Sequence, residues 1–170
     1  MQREQLNLTE EDGYEALRGH VAERAVLARE KYGPVIDLDA IRQILSDGEV
    51  MRFPTVLRFD AEALIAGEFA WAAALGDKPS DGFAIVVHPH FEERVEDLPL
   101  LIAYHIVTVN YLDVVTHVEA ELFGATLLGL TSEEYYERLC KLADELPGPK
   151  PDFTPVVETG GSCGTSCGCG

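Results

Sequence analysis

The spacing of apolar positions predicts the first elements. Thr9-Glu10-Glu11-Asp12 has the form of a helix start, a threonine N-cap followed by acids that favour the positive end of a helix dipole. Tyr14, Leu17, Val21, Ala25 and Ala28 then recur at helical spacing, and Gly33-Pro34 is a strong breaker. A short second helix is expected over roughly Leu38 to Leu45, with Ile41, Ile44 and Leu45 inward, followed by a turn at Asp47-Gly48.

The middle third changes period. Val56, Leu57 and Phe59 interleaved with Arg58 suit a strand that begins after Pro54. From Glu62 to Ala73 the alanines favour helix, whereas Gly67 and the alternation Leu64, Ala66, Glu68, Ala70 favour an extended segment, the reading adopted. Gly76 to Gly82 reads as a surface loop. Phe83-Ala84-Ile85-Val86-Val87, continuously apolar and β-branched, reads as a strand in the sheet interior.

The last third is helical. Leu98 to Val115 reads as one buried helix, its apolar run broken by His105, Thr108, Asn110 and Asp113, a pattern unlike a bilayer span. Thr116-His117-Val118-Glu119 and Thr131-Ser132-Glu133-Glu134 have the capping-box form. They predict a helix from His117 to about Leu128, ended by Gly129, and another carrying Tyr135, Leu139, Leu142 and Leu146 inward. Grouped strands, not alternating with helices, indicate an α+β fold. The expectation is a small antiparallel sheet of about three strands, flanked by N-terminal helices and a C-terminal three-helix subdomain. Residues 1–146 form one domain on this reading, 147–159 a proline-rich linker, and 160–170 a flexible, disordered Cys-rich tail.

Charge narrows the partners. Thirty acidic against thirteen basic residues give a formal charge of −17, which repels phosphate backbones and anionic headgroups, so neither nucleic acid nor membrane is an expected partner. The first residues lack the apolar stretch of a secretory signal, so a cytoplasmic setting is expected. In a reducing compartment, clustered cysteines serve as ligands or redox groups more often than as structural disulfides.

The tail, Gly-Gly-Ser-Cys-Gly-Thr-Ser-Cys-Gly-Cys-Gly, reads C-x₃-C-x-C through Cys163, Cys167 and Cys169. Small intervening residues let the backbone fold three sulfurs around one centre. Thiolates suit Zn(II), Cu(I) or an iron–sulfur cluster. Three cysteines are one short of a closed Cys₄ site, and Cys140, a second protomer in a homodimer, a partner protein or a histidine are candidate fourth ligands. An incomplete site on a spacer suits transfer to a recipient or assembly protein. Alternatively, the cysteines form a redox pair with a resolving thiol, or Gly160-Gly161 marks the leader–core junction of a modified precursor peptide.

The body offers a second candidate set for zinc or iron. His88-Pro89-His90 follows the best strand, His105 sits in the buried helix with Thr108 and Asp113 on one stripe, and His117 and Glu121 share a helix face. Ile102-Ala103-Tyr104-His105, with the later Glu119-Ala120-Glu121-Leu122-Phe123-Gly124-Ala125, resembles a decayed ImmA/IrrE-type metallopeptidase. The resemblance implies that His105 matches the first zinc histidine and Glu119 the third ligand. It also implies lost peptidase activity, because Ile106 replaces the general base and Val109 the second histidine. No complete catalytic motif is present, so no enzymatic activity is expected. Trp71, Tyr135 and Tyr136 read as core or interface residues. The leading expectation is an accessory protein, a metallochaperone, that delivers a thiophilic metal or iron–sulfur species through its tail.

Overall fold

The computed structural model describes residues 9–148. The tail cysteines, and nearly all of the predicted linker, lie outside the described residues.

Four of the five helices begin at a side-chain cap. Helix α1 spans Glu10–Tyr32, and its capping box closes as Asp12 N–H donates to Thr9 Oγ1 at 3.2 Å while Thr9 N–H donates to the Asp12 carboxylate at 2.8 Å. Helix α2, Leu38–Ser46, is capped by Asp37, whose carboxylate accepts the Ala40 N–H at 2.8 Å. Helix α3 spans Leu98–Tyr111, α4 His117–Leu128 and α5 Ser132–Asp144, the last two opened by the predicted boxes at Thr116/Glu119 and Thr131/Glu134. Gly129 ends α4 in the left-handed conformation, at φ 70°, and a Cβ there would also collide with the Arg29 guanidinium.

Strands β1 (Thr55–Phe59), β2 (Ala70–Ala74) and β3 (Phe83–Val87) form one sheet in the order β1-β3-β2. The fold is α+β as expected, but the sheet is mixed. β2 pairs antiparallel with β3, whereas β1 pairs parallel with it, Thr55 opposite Phe83 and Phe59 opposite Val87. The reason lies in β3, which is buried along its whole length while β1 and β2 each expose two of their five residues. The most apolar strand takes the centre, and the chain carries β2 to the far edge instead of turning back beside β1.

That crossing corrects a second expectation. Residues 61–68 form turns, not the first half of a strand. Asp60 Oδ1 accepts the Glu62 N–H at 2.9 Å, and the Glu68 carboxylate accepts the Ile65 N–H at 3.0 Å. Gly67, at φ 89°, turns the chain into β2. The alternation in this stretch came from turn residues, not from a pleat.

Helix α3 lies at the centre of the core. Leu101, Ile102, Ile106 and Val109 are fully buried, each contributing about 1.5–3 kcal/mol by leaving water. The helix is shorter than expected. It stops at Tyr111 because Leu112 adopts φ 54°, and a short 3₁₀ turn over Leu112–Val114 follows. Asp113 is therefore exposed and off the helix, and it shares no buried stripe with His105. Asn110 instead faces inward, where its side chain accepts the Arg52 N–H at 2.8 Å and donates to the Val50 carbonyl at 2.9 Å. This pins the segment before β1 to α3.

Close approach defines the α4–α5 contact. Tyr135 is fully buried and its hydroxyl donates to the Leu100 carbonyl at 2.6 Å, while a Cβ on Gly124 would stand 2.3 Å from its ring. Gly124→Ala should therefore destabilise the fold by about 1–3 kcal/mol through overpacking, although alanine is the better helix former. Tyr135→Phe should cost about 1 kcal/mol for the lost hydrogen bond. Urea unfolding of both variants measures this, and a Gly124→Ala protein as stable as the parent would exclude the close approach.

Candidate functional site

Two candidate residues meet at one cleft. A cavity of about 360 Å³ opens between the start of β2 and helices α3, α4 and α5, and His105 and Glu121 both line it. Its wall is mainly apolar, with Phe69, Tyr104 and Leu139, and Cys140 contributes a thiol from α5. Trp71 and Tyr136, read from sequence as core or interface residues, stand at this cavity about half exposed, whereas Tyr135 is core.

His105 is held by its helix and by aromatic neighbours. The Tyr104 ring lies 5.2 Å and the Phe69 ring 5.9 Å from its own, centroid to centroid. Burial pushes its pKa down to about 4, so the imidazole is neutral at pH 7. Nε2 is shielded from water and has no hydrogen-bond partner among the described residues. An unpartnered buried nitrogen costs free energy. The adjacent Tyr104 phenol has a raised pKa, first from burial and then from the Glu121 carboxylate. The arrangement offers a neutral nitrogen base, a phenol, a carboxylate and a thiol around an apolar cleft.

The other candidates lie apart. His88 caps the short turn Pro89–Phe91, its Nδ1 accepting the His90 N–H at 3.1 Å. The two rings are 6.4 Å apart, and His90 is exposed. His117 is exposed at the first position of α4. Glu119 is 1% exposed and its oxygens are engaged, accepting Thr116 N–H at 2.8 Å, Thr116 Oγ1–H at 2.6 Å and Arg18 Nε at 3.2 Å. Burial alone would raise its pKa, but these hydrogen bonds prevail and hold it below the ordinary value. The resemblance to a zinc peptidase thus places Glu119 where this chain uses it as a cap and an ion-pair partner. Among the described residues, no three His, Cys, Asp or Glu side chains converge as a metal site. His88, His90, His105, His117 and Glu121 therefore do not form one ligand set. Cys163, Cys167 and Cys169 lie outside the described residues.

The cleft was only partly legible. Tyr136 and Cys140 are four apart on one helix, a local signal, but Trp71 joins them only through the sheet order.

The buried imidazole predicts a pH dependence. Between pH 6.5 and about 4 the unfolded chain binds a proton that folded His105 does not, so stability rises with pH across this window. Acidification from pH 7 to 4 should remove about 3 kcal/mol through this residue. The Asp47 carboxylate, drawn down to about 2 by Lys31, Tyr32 and the Glu49 amide, acts only at lower pH. Urea unfolding at pH 7 and 4 should show a smaller loss in His105→Phe than in the parent, and equal losses would contradict the assignment.

The chain matches no family model, and no curated protein or solved structure is similar to it at a significant level.

Proposed function

We propose that the protein is an accessory carrier that binds a thiophilic metal ion or an iron–sulfur species through Cys163, Cys167 and Cys169 and passes it to a recipient protein. The observation that carries this reading is the sequence of the last eleven residues, in which three cysteines are set only among glycine, serine and threonine. Three thiolates form a strong but open site for Zn(II), Cu(I) or an iron–sulfur cluster. An open coordination position allows ligand exchange with a recipient.

The folded body supports the division of labour. No three potential ligands converge among the described residues, and the buried carboxylate of Glu119 already has partners. Cys140 is the one cysteine of the described body, and the cleft it lines is apolar enough to receive a partner's side chain. It is the body's candidate for a fourth thiolate. Thirteen residues, five of them set by prolines at 147, 149, 151 and 155 and the glycine at 148, separate Leu146 from Gly160. A stretch of that length, if extended at about 3 Å per residue, would span a few tens of Å.

A second reading rests on Gly160-Gly161 immediately before Ser162-Cys163. The body would then be recognised by modifying enzymes and the tail would be the product. Intact mass of protein from its native host separates the two, because dehydration or cleavage after Gly161 appears directly as lost mass.

Anaerobic reconstitution with Fe(II) and sulfide, Cu(I) or Zn(II) tests the carrier reading. Full-length protein should retain metal after desalting, and a truncation after Thr159 should retain little. Equal retention by both forms would sink the proposal.

A further inference from the structure

We infer that a pocket between the middle of α1, the segment before β1 and the end of α3 is a binding site for a phosphate dianion, free or as a small monoester. The cavity measures about 290 Å³, and His20, Arg24, Arg52 and Tyr111 line it. It lies apart from the His105 cleft, shares no lining residue with it, and does not depend on the tail.

The charge pattern is the first argument. This chain carries more than two carboxylates for each basic residue, and Arg18, Lys31, Arg42 and Arg94 each take one or more of them. Arg24 and Arg52, like Arg29, Arg58, Lys78, Arg138 and Lys141, take none among the described residues, but these two come together at one cavity. Arg24 donates one N–H to the Glu49 carbonyl, and the Arg52 guanidinium lies over the Phe53 ring at 5.4 Å. Most of their donors have no partner among the described residues. Glu49 is the one acidic residue of the wall, and Lys31 binds its carboxylate at 2.6 Å. Both guanidiniums act on the Tyr111 phenol, lowering its pKa against the larger upward effect of burial.

Rigidity is the second argument. Asp47 holds the preceding turn by accepting Lys31 Nζ at 2.7 Å, the Tyr32 hydroxyl at 2.6 Å and the Glu49 N–H at 2.8 Å. Asn110 then fixes the backbone of Arg52 itself. Tyr111 is set against His20, ring centroids 5.8 Å apart, and is followed directly by Leu112 at φ 54°. Leu112 is the one non-glycine residue with positive φ among the described residues, a conformation that persists only where the surroundings enforce it. Two guanidiniums on fixed backbone are prepared before a ligand arrives.

The donor set selects the ligand. Each guanidinium presents a planar fork to paired oxygens, and the imidazole and phenol supply further donors. A carboxylate has two oxygens and would occupy one fork, whereas a phosphate dianion has three and engages both. The cavity leaves room for a small ester group. The overall acidity opposes any anion at long range, but at 0.1 M salt this field is screened beyond about 10 Å. The groups of the pocket therefore decide.

Calorimetry and ³¹P line broadening on the full-length protein, at pH 7.5 and constant ionic strength, test the assignment with inorganic phosphate, phenyl phosphate and acetate as probes. Both phosphates should bind and acetate should not. Arg24→Gln and Arg52→Gln should each weaken binding about tenfold or more, and Tyr111→Phe about two- to fivefold. Arg42→Gln, remote from the pocket, should bind as the parent does. Tighter binding of phenyl phosphate would assign a monoester, and equal binding would assign the free anion. Absence of phosphate binding, acetate binding of equal strength, or affinity unchanged in the two arginine variants would overturn the site. Circular dichroism of each variant separates lost binding from lost folding.

Discussion

The burial of α3 on every side is the constraint on which the rest of the fold depends. A helix with apolar residues around nearly its whole circumference has no face to give to water, so every other layer must cover it. α2, α4, α5 and the strands β2 and β3 all pack against it. Each polar side chain on such a helix then has a consequence. Asn110 uses both its oxygen and its nitrogen in hydrogen bonds and fastens the entry to β1, whereas His105 is left with a bare nitrogen beside a cleft. The same helix thus positions both cavities, one along its side and one at its end.

What could be read from the chain, and what could not, follows from the range of the interactions concerned. The helix start at Thr9 was legible as a threonine N-cap followed by acids, and those at Thr116 and Thr131 as capping boxes, because each signal is complete within four residues. The central place of Phe83–Val87 was legible because unbroken β-branched apolarity has one comfortable position in a sheet. The direction of β1 was not, because it depends on which edge the chain reaches after ten residues of turns. The early end of α3 was not either, because Leu112 takes a conformation that its own side chain disfavours and only its neighbours impose. For the candidate sites the division is sharper. The tail motif is a pattern within eleven consecutive residues. Arg24, Arg52 and Tyr111 are separated by 28 and 59 residues in the chain, and no local pattern brings them together.

The two arrangements in the body differ in kind. The His105 cleft is apolar, with a neutral base at its wall, and suits an uncharged or aromatic contact. The arginine pocket is polar and positively charged within a strongly acidic molecule. No helix among the described residues is long and apolar enough to cross a membrane.

The ion pair between Arg18 and Glu119 ties the first helix to the fourth. Its carboxylate end is buried, while its guanidinium is about half exposed. Detaching α1 would break this ion pair and uncover the face of α4 against which α1 packs. Partial opening at the N-terminal end therefore offers little gain in chain entropy against that loss. Amides in the middle of α1 belong, on this account, to the same cooperative unit as the core and exchange with solvent only when the whole domain opens.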